Sequence, residues 1–190
     1  MNQPKLSLGS WAFSFGPFES DPWSFARVLA FLAEAGYDGV EINGFPPHPH
    51  PDQYDTPAKC RALVDEIAAY GLGISGYAPS FGSVSPAVAE PEAYLELLRS
   101  YLRFCERCGI TTLRVDTVSP PTPLAPDVYE ARFARLASTW HAAAEEAAQA
   151  GVLIVWEFEP GFWLNKPSEV VRTVEAVGHE NFKLLFDTSH

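Results

Sequence analysis

The chain is short of cations, of sulfur and of long apolar runs. Thirteen Lys and Arg face 24 Asp and Glu in 190 residues, a formal charge of −11. Nucleic-acid backbones and anionic membrane surfaces are held by clustered cations, so neither is expected as the main partner. The longest wholly apolar stretch, 28–33, is far too short to span a bilayer. The opening MNQPKLSLGSWAF has one Lys and no apolar run behind it, so no secretory leader is expected and a cytoplasmic location is. The three cysteines, Cys60, Cys105 and Cys108, are an odd set that fits a reducing compartment better than a disulfide framework. Cys105-Glu-Arg-Cys108 is formally a C-x-x-C, but it closes a helix, where the dipole disfavours a thiolate. Helix packing is its expected role. The first strand-to-helix connection, Phe13-Ser-Phe-Gly-Pro-Phe, is not a G-x-G-x-x-G cradle, and no Walker loop occurs elsewhere, so a nucleotide site has little support.

What is present is a core and a rhythm. The chain is 47% hydrophobic and 19% charged, enough apolar material to fold and too little charge for disorder. One phrase recurs: amphipathic helix, Gly, short apolar strand. It reads EAGYDGVEI, AAYGLGISGY, ERCGITTLRV, AQAGVLIVWEF and EAVGHENFKLLFD. Gly36, Gly71, Gly109, Gly151 and Gly178 stand where each helix must stop, because glycine enters the left-handed conformation cheaply. Asp21-Pro22 and Thr56-Pro57 predict N-caps followed by Pro at the first helical position, and Pro91, Pro126 and Pro167 mark the other starts. The pattern predicts helices near 22–35, 57–70, 91–108, 127–150 and 167–177. It predicts strands near 5–12, 37–42, 72–78, 111–117, 152–158 and 182–187. Short, nearly continuous apolar strands joined by helices predict a parallel sheet buried on both faces, an α/β protein in one domain over 1–190. A doubly wound sheet and a (β/α)8 barrel both accept this order.

Either architecture gathers function at the C-terminal strand ends. Those ends carry Glu41, Asp116, Glu157, Glu159 and Asp187, and His190 follows. Alternation puts Glu157 and Glu159 on one face with Leu153 and Val155. Carboxylates converging there would repel and take up protons unless a divalent cation joined them, and carboxylate with imidazole suits Mn²⁺, Mg²⁺, Co²⁺ or Zn²⁺. Glu41 and Asp116 also read as simple helix caps. His48 and His50, in a Pro-rich loop, are expected to face solvent, as are His141 and His179. Of the aromatics near the strand ends, Trp11 and Phe13 best fit a wall for the apolar face of a sugar.

AGYDGVEI at the second strand, VLIVWEFEPGFW at the fifth and KLLFDTSH at the sixth resemble the sugar phosphate isomerase/epimerase family, with its xylose-isomerase-like TIM barrel. The resemblance runs in register from strand one to strand six. It implies a (β/α)8 barrel with strands seven and eight missing from this chain, 190 residues being well short of the roughly 250 of a full barrel. It implies a divalent metal held by Glu157 and Asp187, with two further ligands on the missing strands. Glu157 would double as the catalytic base. His190, Glu159, Trp11, Phe13, Glu41 and Asp116 would contact substrate. The implied reaction moves a proton next to a carbonyl of a small ketose, sugar phosphate or keto-polyol through a metal-stabilised ene-diolate. An inosose-type dehydratase and a non-catalytic sugar-binding subunit, truncated or completed by a partner, are the alternatives, and a homo-oligomer is left open.

Overall fold

The computed structural model describes residues 4–188. The strands are β1 (Ser7–Gly9), β2 (Gly39–Asn43), β3 (Gly73–Ala78), β4 (Thr112–Val115), β5 (Leu153–Glu157) and β6 (Phe182–Leu185). The helices are α1 (Phe25–Glu34), α2 (Pro57–Ala69), α3 (Pro91–Cys108), α4 (Pro126–Gln149) and α5 (Pro167–Val177). The sheet order is β1-β2-β3-β4-β5-β6, and the registered pairs are parallel. The order expected of successive βα units is therefore observed. All five helix-stopping glycines have positive φ, between 58° and 80°. Pro begins four of the five helices, and the Thr56 hydroxyl accepts from Lys59 N–H, capping α2 as expected.

The start of α1 is a correction. Its N-cap is Ser24, whose hydroxyl accepts from Arg27 N–H, and not Asp21. Trp23 N–H donates to the Phe13 carbonyl and its ring stacks on Phe13 at 4.8 Å, so Pro22 lies outside the helix. The first strand is likewise shorter than predicted. It ends at Gly9 and becomes a 3-10 turn, Ser10–Phe13, whose buried Ser10 hydroxyl accepts from Asn43 N–H at 2.9 Å. Phe13 is thereby drawn into an aromatic cluster with Phe18, Trp23 and Phe31.

Residue contacts group into two compact units, 1–80 with 103–113, and 81–102 with 114–190. In the first, Val28, Leu29 and Leu32 of α1, Val40 and Ile42 of β2, and Leu63 and Ile67 of α2 form the core. Cys60, Cys105 and Cys108 are all buried there as free thiols. Burial pushes the Cys105 thiol far up and the Cys108 thiol to about 12, the behaviour of packing residues rather than nucleophiles. In the second unit Trp140 of α4 is the anchor. Its ring lies 5.4 Å from Trp156 and 5.3 Å from Phe182, and its indole N–H donates to the Tyr94 hydroxyl. Truncating such a residue to Ala typically costs about 3–5 kcal/mol. Trp140 also fixes the parity of β5: Ile154 and Trp156 face α4, so Leu153, Val155 and Glu157 face away from it.

Candidate active site

In the first unit Glu41 is the acidic group that β2 carries to the functional end. Val40 and Ile42 on either side are fully buried, so alternation turns Glu41 to the other face. Its registered neighbours are both glycines, Gly9 on β1 and Gly76 on β3. The Gly9 vacancy is used. A Cβ there would stand 2.1 Å from Trp11 Nε1 and 3.1 Å from Glu41 Oε2. Only glycine lets the indole fold back across the strand to share this spot with the carboxylate. Trp11 remains 41% exposed, a flat apolar surface beside an anionic acceptor. The structure thus places Trp11 as an accessible ring but buries Phe13, which cannot serve as a second wall. Asn43 follows two residues after Glu41, is 1% exposed, and has a side-chain NH₂ without a hydrogen-bond partner among the described residues.

His48 is the clearest correction. It is fully buried, not solvent-exposed. Its Nε2 lies 3.1 Å from the Trp23 carbonyl, its Nδ1 3.5 Å from the Ser14 hydroxyl, and its ring packs against Phe25. Nε2–H therefore donates and Nδ1 accepts, the arrangement of a neutral imidazole. Burial lowers its pKa, against a smaller opposing effect of the Trp23 bond. His50 and His141 are partly exposed.

In the second unit the acidic residues meet a cation that sequence reasoning passed over. Arg114 Nη1 donates to Glu157 Oε2 in a close ion pair whose side chains are only 19% and 11% exposed. Leu113 and Val115 are buried, so Arg114 and Asp116 share the other face of β4. A guanidinium between Leu and Val in an apolar strand was the available signal, because a charge in such a place needs a partner. Asp116 is half-buried, and its Oδ1 accepts from Val118 N–H at 2.6 Å. Burial raises its pKa, with the Val118 bond and the Arg114 charge opposing. Val118 itself has φ of 60°, a strained value for a β-branched residue. The strain is enforced by its neighbour. The Thr117 carbonyl accepts from Ser85, and the Thr117 hydroxyl donates to the Trp163 carbonyl. Trp163 N–H in turn donates to the Ser119 carbonyl. These hydroxyl contacts carry no sequence signature.

Glu157 stands opposite Leu185 in the β5–β6 register. Glu159 and Asp187 each come two residues later and are half-buried. His190 lies outside the described residues. Among the described residues no three His, Cys, Asp or Glu side chains group closely enough to hold a metal ion. Glu157 and Asp187 are hard oxygen donors from neighbouring parallel strands, and that donor chemistry fits a divalent cation needing further ligands.

Comparison with known proteins agrees on the fold. The family model described as xylose isomerase-like TIM barrel matches residues 29–190. Among solved structures, a D-tagatose 3-epimerase-like protein superposes with a TM-score of 0.75 at 19% identity, over 98% of this chain and 66% of its own. A D-allulose 3-epimerase from Methylomonas sp. gives 0.72 at 19% identity, over 95% and 61%. The probable 3-DHS dehydratase AsbF of Bacillus anthracis gives 0.71 at 16% identity, over 95% and 62%. The chain thus spans less than two thirds of the length of these structures. No curated protein matches it. No helix among the described residues is long and apolar enough to cross a membrane. With a family model matching most of its length and this parallel βα order, the chain belongs to the xylose isomerase-like TIM barrel family.

Proposed function

We propose that this chain carries the first six βα units of a metal-dependent isomerase or epimerase. Its substrate is a small ketose, sugar phosphate or keto-polyol, and a proton moves next to the carbonyl. The observation that carries the reading is Glu157. It is a carboxylate at a strand end, buried among apolar neighbours and, among the described residues, hydrogen-bonded through its side chain by Arg114 alone. Such a group is costly to bury and is well placed to accept a proton. Glu157 and Asp187 are the residues that would hold a divalent cation. When bound, that cation supplies Lewis-acid polarisation of the substrate carbonyl. Glu157 takes the α-proton, Trp11 stacks against an apolar sugar face, and Glu41 accepts from a sugar hydroxyl. Glu159, Asp116 and His190 are assigned to substrate oxygens.

A dehydratase is the second reading, favoured by Asp116. Elimination begins with the same α-proton removal and then needs an acid for the departing hydroxyl. Burial biases Asp116 toward its protonated form. The test is carbon-bound hydrogen exchange followed by NMR in D₂O with Mn²⁺ and a panel of ketoses including D-tagatose and D-allulose. Exchange next to the carbonyl that disappears in Glu157→Gln is expected. Equal exchange in wild type and variant would defeat the proposal, and loss of a hydroxyl would select the dehydratase.

A further inference from the structure

Arg114 has no role in the proposed reaction, yet among the described residues it makes the one hydrogen bond that the Glu157 carboxylate receives. Its position is built in by strand parity, with Leu113 and Val115 locked into the core on the opposite face. The bond goes to a single oxygen, Oε2. Among the described residues no hydrogen bond reaches Glu157 Oε1, and the side chain keeps 11% of its surface exposed. The carboxylate is therefore clamped at one oxygen and accessible at the other. On β6 the registered neighbour is Leu185, which offers no competing donor, and Lys183 stands one step lower, opposite Val155. With both side chains largely out of water, the pair is stronger and better defined than a surface ion pair.

We infer that Arg114 is a positioning residue for Glu157: by holding Oε2 it fixes the carboxylate plane and presents Oε1 alone to a cation or to substrate. This rests on the proposed role of Glu157 as ligand and base. A glutamate free to rotate would offer either oxygen in many orientations. Hydrogen bonds to a ligating carboxylate are the usual remedy, and their loss typically lowers metal affinity about 10–100-fold. Arg serves better than Lys, because its planar fork keeps the donor direction fixed while a Lys ammonium rotates freely.

The test is calorimetric titration of the full chain with Mn²⁺ alone, in wild type, Glu157→Gln, Arg114→Lys, Arg114→Gln and Arg114→Met. Circular dichroism and urea midpoints accompany each titration. Wild type is expected to bind and Glu157→Gln to lose binding. Arg114→Met is expected to weaken Mn²⁺ about 10–100-fold, and Arg114→Lys about tenfold or less. If Arg114→Met does not fold, Arg114→Gln, which keeps a donor for Oε2, and Arg114→Lys carry the measurement. Unchanged affinity in folded Arg114 variants would reduce Arg114 to a structural partner and overturn the inference while leaving Glu157 as ligand intact. Tighter binding would show that Arg114 merely repels the cation, and would overturn it equally. Absence of Mn²⁺ binding by wild type would instead bring down the metal reading, and the inference with it.

Discussion

Two strand ends solve the same problem in different ways. Glu41 in the first unit is accommodated by space, Glu157 in the second by charge. Glu41 lies between two glycines and beside a half-exposed indole, and is itself half-buried. Glu157 lies among apolar side chains and is kept there by a guanidinium. The difference teaches what each can do. A carboxylate set among small residues is adaptable and suits hydroxyl recognition. One clamped by a buried counter-charge is fixed in place and suits chemistry that depends on orientation. The first unit's loops extend the pattern, with His48 held between Ser14 and Trp23 as an uncharged group.

The largest expected effect breaks the charged side of this comparison. Glu157→Ala removes the carboxylate paired with a largely buried guanidinium, and breaking such a pair typically costs about 3–5 kcal/mol; some exposure of the guanidinium places the expectation near the lower value. Urea unfolding checks it. Glu41→Ala should cost less, under about 1 kcal/mol, because truncating a half-buried carboxylate set between two glycines removes little packing. Equal losses at both sites would erase the distinction between space and charge.

Next comes the space itself. Gly9→Ala puts a methyl 2.1 Å from the indole nitrogen of Trp11, so the ring must move. Overpacking typically costs about 1–3 kcal/mol, and a ring that can swing into solvent puts the expectation near the lower value. The sharper readout is fluorescence. The emission of Gly9→Ala should shift toward that of a solvated indole, and the shift should vanish in a Trp11→Phe background. An unshifted spectrum would mean that Gly9 does not seat the ring.

These two sites also mark how far the sequence could be read. The βα rhythm was legible because helix-stopping glycines, prolines at helix starts and apolar strands are local signals, and each has a local cause. Glu157 and Asp187 were legible as acids following apolar strands. Arg114 was passed over because its partner lies 43 residues away, and pairing at that distance leaves no pattern in a linear reading. A first strand running to 12 would put Phe13 on the wall. Ser10 caps Asn43 instead and turns the chain, a contact 33 residues long that alternation does not foresee. A proline-rich setting points His48 to solvent, whereas the fold closes Phe25 and Trp23 over it.

A smaller effect sharpens the second unit. Val118 pays a strain of about 1–3 kcal/mol at positive φ, and glycine removes it at some cost in unfolded-chain entropy. Val118→Gly should therefore raise stability slightly, by about 1 kcal/mol or less. It should also loosen the N–H that Asp116 accepts. Hydrogen exchange at the Val118 amide checks this, with faster exchange expected despite higher global stability. Slower exchange would mean that the Thr117 contacts alone set the geometry.

The smallest effect at neutral pH is the one at His48, and its sign follows from linkage. Burial holds the folded imidazole below its ordinary value of 6.5, so the unfolded chain binds the extra proton first as pH falls. The stabilising contribution of the neutral ring is complete above the unfolded value. It declines below about 6.5 and is lost as pH falls through the lower folded value. Protonation would turn Nδ1 into a donor toward the Ser14 hydroxyl and place a charge against Phe25. Urea midpoints between pH 7.5 and 5 should therefore fall more steeply in wild type than in His48→Gln, which keeps polar atoms but has no proton to gain. Amide exchange should show the loop around His48 opening first. Parallel slopes in the two proteins would remove His48 as the cause, and with it the idea that the first unit's functional end depends on a neutral ring where the second depends on an ion pair.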